Sequence, residues 1–370
     1  MNYLDYCINF LSAVKTNQKS PLRLNEKLVI LESDDWGAIR TPSAKVLLEF
    51  EKYGFNLDKS IYKYDALASE TDLNSLFDLL LSIKNAEGEH PVLTANSIMA
   101  NPDFEKIRDS GFNEYHFEPF YKTFKRYTEH KNNLEIWKKG IEMKIFKPQF
   151  HGREHLNINR WMKSLQNNDK DVHFSFKKGS TYSGKADYSF MEAYDWNDYS
   201  EVKAHKKIIK EGLNIFEKVF GYKSTSFIAP CYNWDVKLEP FLAKQGITCI
   251  QGIHTQLSPT GKLNSYKHIK HFFGKKNNYG SYYNVRNVFF EPIDNPKKDW
   301  SDGAMARIHA AFLFDKPAVI STHRINYIGY VCPQNRDNGL LQLKRLLTKV
   351  VTKWPDVKFI TTDQLSNYLK

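Results

Sequence analysis

Leu28-Val29-Ile30-Leu31-Glu32-Ser33-Asp34-Asp35-Trp36-Gly37 (LVILESDDWG) runs from four aliphatic residues into two adjacent acids. Leu28 to Leu31 reads as an interior strand. Two neighbouring carboxylates where a buried strand opens into a loop repel one another and lose solvent, unless something positive lies between or beside them. The plain alternative is a helix cap followed by an acidic turn, because Asp commonly caps helices. A metal held by the rest of the chain would decide between the two.

Working outward, similar short apolar runs recur at 91–95, 147–150, 225–228, 247–252, 317–321 and 357–361. Between them lie stretches with helical character at 72–84, 134–143, 159–165, 201–220, 236–245, 305–314 and 339–353. Strands alternating with helices predict parallel βα units, and seven strands fit a distorted (β/α)7-type barrel. The chain of 370 residues reads as a single catalytic-type domain, 1–370. Two stretches break the rhythm, 166–200 and 255–298, and are expected to be insertions lining the site.

In parallel α/β folds the C-terminal ends of strands carry the chemistry, because loops from different strands converge there. The residues at those ends are Asp34 and Asp35, Asn96, His151 to His155, Pro230 to Trp234, His254 and His323. Within Gln149-Phe150-His151-Gly152-Arg153-Glu154-His155 two histidines stand four apart. Both imidazoles can point into one hollow and leave room for a carboxylate as third ligand. Two His and one acid with open positions is a catalytic arrangement, zinc first, rather than a closed structural one. HxxEH is also the inverted-zincin signature, with the glutamate as general base, which makes a metallopeptidase the competing enzyme reading. Gly152 and the strand-like residues before His151 argue against the uninterrupted helix that motif requires.

With these motifs in order, Asp34-Asp35, His151 to His155 and Ile320-Ser321-Thr322-His323, the chain resembles the polysaccharide deacetylase family, the NodB-homology group of carbohydrate esterases. The ending at Lys358 to Leu365 is similar as well, and the resemblance spans roughly residues 25 to 370. It implies a NodB-like barrel in which Asp35, His151 and His155 hold a divalent metal, zinc foremost. It also implies that Asp34 is the general base, that His323 is the general acid, and that Tyr232, Asn233 and Trp234 form a wall with a backbone N–H near Tyr232 helping the oxyanion. The family's arginine that orients the base has no counterpart here, since Ile228 stands in its place, and the Asp and Trp of a fourth motif are not evident. Arg286, Arg307 and Arg324 are the candidates to supply the charge. Without such a partner a buried Asp34 would have a raised pKa.

The chemistry asks for the same division of work. Amide hydrolysis needs a stronger nucleophile than water, positive charge for the developing oxyanion and a proton for the departing amine. The resemblance implies that the activity is removal of acetyl groups, N-acetyl before O-acetyl, from a glycan or polysaccharide. A catalytically inactive carbohydrate-binding protein of the same fold is the alternative from another class.

Lys and Arg number 53 against 42 Asp and Glu, a net charge of +11, which favours anionic partners but says nothing about fold. No zinc finger, helix-turn-helix or RNA-binding motif is visible, so nucleic acid is not an expected partner. Cys7, Cys231, Cys249 and Cys332 lie far apart, and reduced thiols in the cytoplasm are the expectation for a chain of this length. The first residues carry Asp5 and no basic-then-apolar pattern, so they are expected to form an amphipathic helix rather than a signal peptide. No run of eighteen apolar residues predicts a transmembrane span.

Overall fold

The computed structural model describes residues 3–57, 63–185 and 188–369. Among these residues thirteen strands follow in chain order: β1 (Leu28–Trp36), β2 (Leu93–Ile98), β3 (Ala100–Pro102), β4 (Phe117–Pro119), β5 (Phe146–Gly152), β6 (Ser226–Ile228), β7 (Cys249–Gly252), β8 (Thr255–Pro259), β9 (Tyr266–Lys270), β10 (Tyr282–Val285), β11 (Val288–Phe289), β12 (Ala318–His323) and β13 (Lys358–Phe359). The main sheet runs β10-β7-β6-β5-β2-β1-β12-β11, with β13 paired to the start of β1, and all its pairings are parallel. The seven expected apolar runs fall on β1, β2, β5, β6, β7, β12 and β13. Strands β3 with β4 and β8 with β9 form two small antiparallel ribbons beside it.

Leu28, Val29, Ile30 and Leu31 are fully buried. A parallel strand covered on both faces reads as a continuous apolar run rather than an alternating one. Helices Glu70–Leu81, Glu201–Phe220, Trp300–Leu313 and Pro333–Lys353 contribute to the outer layer. Glu201–Phe220 has the expected bounds, whereas Pro333–Lys353 begins six residues earlier than expected because Pro333 is tolerated in the first turn.

The sheet closes on itself through a two-residue link. β10 and β11 are the two ends of the strand order, yet only Arg286 and Asn287 separate them. So short a link cannot span an open eight-strand sheet, so the edges meet. Arg286 N–H donates to Gly252 O on the β7 side (2.8 Å), and the Asn287 amide donates to Pro317 O (2.9 Å) while its oxygen accepts from Val319 N–H (2.8 Å) on the β12 side. The result is a distorted, nearly closed (β/α) barrel. Both closing strands come from the 255–298 stretch, where the sequence gives no clean strand signal because Val288–Phe289 is only two residues long. Helix Tyr3–Asn17 lies against Trp300–Leu313, with the Tyr6 hydroxyl 2.9 Å from His309 Nδ1. Among the described residues no helix is long and apolar enough to cross a membrane.

Candidate metal centre and active site

The acids of the opening stretch are the last turn of β1 rather than a loop beyond it. β1 pairs with β2 at Ser33↔Ala95 and again at Trp36↔Ser97, so Asp34 and Asp35 together oppose the single residue Asn96. That is a bulge, and Asp35 takes a left-handed backbone (φ 73°). Successive side chains of a regular strand point to opposite faces. The bulge breaks the alternation, and both carboxylates line one cavity of about 220 Å³ at the C-terminal mouth of the barrel. Gly37 follows with φ 88°, and a Cβ there would lie 2.7 Å from Ile98 O.

Asp35 Oδ1 lies 3.3 Å from His151 Nε2 and 3.4 Å from His155 Nε2, and one ligand atom from each residue fits within 4.8 Å of the others. His151 stands on β5 with Nδ1 2.9 Å from Ile228 O. That carbonyl can only accept, so Nδ1 carries the proton and Nε2 is left as a lone-pair donor facing the cluster. His155 is reached through Gly152 (φ 132°), where a Cβ would come within 3.1 Å of Glu154 O and Tyr194 Oη. Burial pushes the His155 imidazole down to about 3, keeping it neutral. The other oxygen of Asp35 accepts from Arg40 (3.0 Å), which also pairs with Asp65, itself held by Arg324. Burial alone would raise the Asp35 carboxyl, but Arg40 and then the imidazoles hold it well below the usual range. Two imidazole nitrogens and one carboxylate oxygen converging in a buried hollow are the donor set a divalent ion takes.

Asp34 is held apart from this cluster. Its oxygens accept from Arg286 in a fork (2.7 and 2.7 Å), and Oδ1 also accepts from Asn96 (2.8 Å). Arg286 is fully buried and reaches on to Glu32 (2.6 Å). Burial works to raise the Asp34 carboxyl, yet Arg286 overrides it and holds the group well below the carboxylate range. Of the three arginines that were candidates to supply the charge missing at Ile228, Arg286 does so from the barrel seam, and the raised pKa of a partnerless Asp34 does not arise. His323 ends β12 beside Asp34 in register, with Nε2 3.8 Å from Asp34 Oδ2 and Nδ1 2.7 Å from Glu291 Oε1. Desolvation opposes its protonation, but Glu291 and then Asp34 keep the imidazolium pKa well above 6.5. At 38% side-chain exposure, solvent screens part of that effect.

Of the other expected residues, Tyr232 lines the cavity and its hydroxyl accepts from Arg286 at 3.3 Å. Its own backbone N–H donates to Ala229 O (3.0 Å) within the turn. Asn233 and Trp234 are buried behind the wall, with Trp234 Nε1 donating to Glu239 (3.2 Å). Arg307 lies on an outer helix against Asn9 (2.9 Å) and Phe289, and Arg324 is buried beneath Ala38 and Asp65. None of these four lines the cavity. The inverted-zincin alternative fails on geometry, because His151 is on a strand and Glu154 is clamped by Arg153 at 2.7 and 2.8 Å.

Four site residues are absent from the sequence reading: Glu32, Arg40, Asp65 and Glu291. Two of them left a signal. Glu32 sits two residues before Asp34 and so shares its face, and Glu291 follows the apolar run Val288-Phe289-Phe290 as Asp34 follows its own.

No family model matches the chain, and no curated protein does. Among solved structures, a candidate glycoside hydrolase/deacetylase from Parabacteroides distasonis is similar over 94% of this chain and 72% of its own, at 12% identity and a TM-score of 0.50. A candidate polysaccharide deacetylase from Mycobacterium smegmatis matches over 95% and 92% at 12% identity and a TM-score of 0.43. The peptidoglycan deacetylase PdaC of Bacillus subtilis matches over 93% and 92% at 11% identity and a TM-score of 0.39. The chain has the NodB-like, polysaccharide deacetylase fold, a distorted (β/α) barrel with insertions.

Proposed function

We propose that the protein is a metal-dependent hydrolase that removes acetyl groups from a glycan, N-acetyl in preference to O-acetyl, with zinc as the resident ion. The observation that carries this reading is the Asp35, His151 and His155 cluster with Asp34 and His323 beside it in one cavity. A divalent ion held by that cluster would supply Lewis acidity, polarising an acetyl carbonyl and making a water more acidic. Asp34, held by Arg286 and Asn96, is placed to take the proton of the attacking water. His323, kept charged by Glu291, is placed to give a proton to the departing nitrogen as the C–N bond breaks. An amine cannot leave as an anion, so a histidine held in its acid form supports the amide over the ester. Arg40 neutralises the outer oxygen of Asp35 and leaves the inner one to the imidazoles.

The whole chain acts in this reading as one catalytic unit. Stretch 166–200 supplies Met191 to the cavity wall, and 255–298 supplies Glu291, Ile293 and Asp294. Four unpaired cysteines support a reducing, cytoplasmic setting.

The test combines metal analysis with acetate release from N-acetylated chito-oligosaccharides and O-acetylated xylo-oligosaccharides. His155→Ala should lose most of the zinc. Asp34→Asn and His323→Ala should keep it while losing turnover by roughly 10²-fold or more, the scale of general acid–base loss. A native protein that binds zinc yet releases acetate from neither series would belong with the carbohydrate-binding reading instead.

A further inference from the structure

Behind the metal cluster the charges alternate along a buried chain: Asp35, Arg40, Asp65, Arg324. Arg40 Nη1 has two N–H bonds and gives one to Asp35 Oδ2 (3.0 Å) and the other to Asp65 Oδ2. The second oxygen of Asp65 accepts from Arg324, whose other terminal nitrogen donates to Ala38 O (2.7 Å). All four side chains are at most 7% exposed. Arg324 directly follows His323, and β12 lies beside β1 with His323 opposite Asp34. The chain thus ties the ends of two neighbouring strands together.

The backbone is fixed to match. The N–H groups of Arg40 and Thr41 both donate to Asp65 O (3.3 and 3.0 Å), and Ala38 N–H donates to Asp35 O (3.1 Å). Between them Ile39 N–H donates to Asn101 Oδ1 (3.2 Å). The segment that carries Arg40 is therefore held against both acids.

Burying so many charges needs a reason, because a buried ion network stabilises a fold no better than apolar side chains of similar size. Beside a divalent ion Arg40 would also be repelled, and Asp65 is the opposite charge that holds it in place. A carboxylate can give a metal one oxygen or two. Asp35 turns Oδ1 towards both imidazoles (3.3 and 3.4 Å) and commits Oδ2 to Arg40. An Oδ2 free to turn inwards would take a position that a catalytic ion keeps open for water and substrate.

From this geometry we propose that Arg40, anchored by Asp65 and Arg324, is a positioning residue that restricts Asp35 to one oxygen and so keeps a coordination position open. The proposal rests on the metal-dependent reading of the site and goes beyond it by giving these three residues a task.

The test reads the metal separately from turnover. In a crystal structure of the zinc-loaded native protein, one oxygen of Asp35 should lie about 2.0–2.2 Å from the ion with Arg40 still on the other. An Asp35 that chelates through both oxygens overturns the proposal without any variant. Arg40→Met removes the donor and leaves Asp65 paired with Arg324. In its zinc-loaded structure both oxygens of Asp35 should reach the ion, and kcat for acetate release should fall by roughly 10- to 100-fold. Arg40→Lys, which keeps a charged donor, should return Asp35 to one oxygen and recover part of kcat. Should Arg40→Met fail to fold, Asp65→Asn, which keeps an acceptor but removes the charge anchoring Arg40, is read in the same way. One-oxygen binding in the variant, or two-oxygen binding with full turnover, overturns the proposal. A native protein with one-oxygen binding that releases no acetate fails the hydrolase reading alone, whereas turnover by a native protein with a chelating Asp35 fails only this one.

Discussion

Asp34 and Asp35 are the same side chain one peptide apart, and their neighbours give them different surroundings. Asp34 faces a buried guanidinium and an amide, and Asp35 faces two imidazoles with Arg40 behind it. A metal-binding acid needs an oxygen turned towards other ligands, whereas a base needs one turned towards water. The same logic governs His323, whose acid form depends on Glu291. A group with a raised folded pKa keeps its proton to higher pH, so the alkaline limb of the acetate-release profile should lie above the ordinary histidine range. Glu291→Gln removes the carboxylate nearest His323, and the alkaline limb should then move down towards neutrality while zinc content stays the same. Measuring kcat/KM against pH for both proteins checks this; an unmoved limb would mean that another group donates the proton. The adjacency of two acids was plain in the sequence. Which of three candidate arginines serves Asp34 was not, because Arg286 lies 252 residues away along the chain.

At the scale of elements, the two acids and His155 depend on backbone irregularities at strand ends, whereas His323 ends β12 in ordinary extended backbone. The bulge at Asp34 and Asp35 turns both acids to one face, and the turn at Gly152 lets His151 on β5 and His155 beyond it share a hollow. Residues other than glycine pay of order 1–3 kcal/mol at a backbone such as φ 132°. Gly152→Ala should therefore lower stability by about that amount and displace His155, weakening zinc affinity more than a surface glycine change would. Isothermal titration with zinc and urea unfolding of the same variant check the two effects separately. Spacing alone can suggest that two histidines four apart converge, but a helix and a strand-plus-turn satisfy it equally. The positive φ at Gly152 decides for the second, and no periodicity in the sequence records it.

At the scale of the whole molecule, the barrel is closed by the residue that also holds Asp34. Arg286 bridges β10 to β7 through its backbone and pairs with Glu32 and Asp34 through its side chain, all inside the barrel. Burying two acids is tolerable only with this charge between them; burial already raises the Glu32 carboxyl despite it. Breaking a buried ion pair by removing one partner costs on the order of 3–5 kcal/mol. Arg286→Met should thus lower the urea midpoint by that equivalent, and Arg286→Lys, which keeps charge but loses the fork, should recover part of the stability while leaving turnover impaired. Equal stability of the Met variant and the native protein would show that the seam does not depend on the charge. The sequence by itself determined the α/β class, seven of the parallel strands and the acids and histidines at their ends, because burial on both faces leaves continuous apolar runs and strand termini leave polar ones. Tertiary structure alone decided how the barrel closes, which arginine serves Asp34, that Glu291 serves His323 and that Asn233, Trp234, Arg307 and Arg324 stand outside the cavity. Those outcomes follow from which strands meet across the barrel, and contact between residues as far apart in the chain as Glu291 and His323, or Asp34 and Arg286, leaves no local pattern in it.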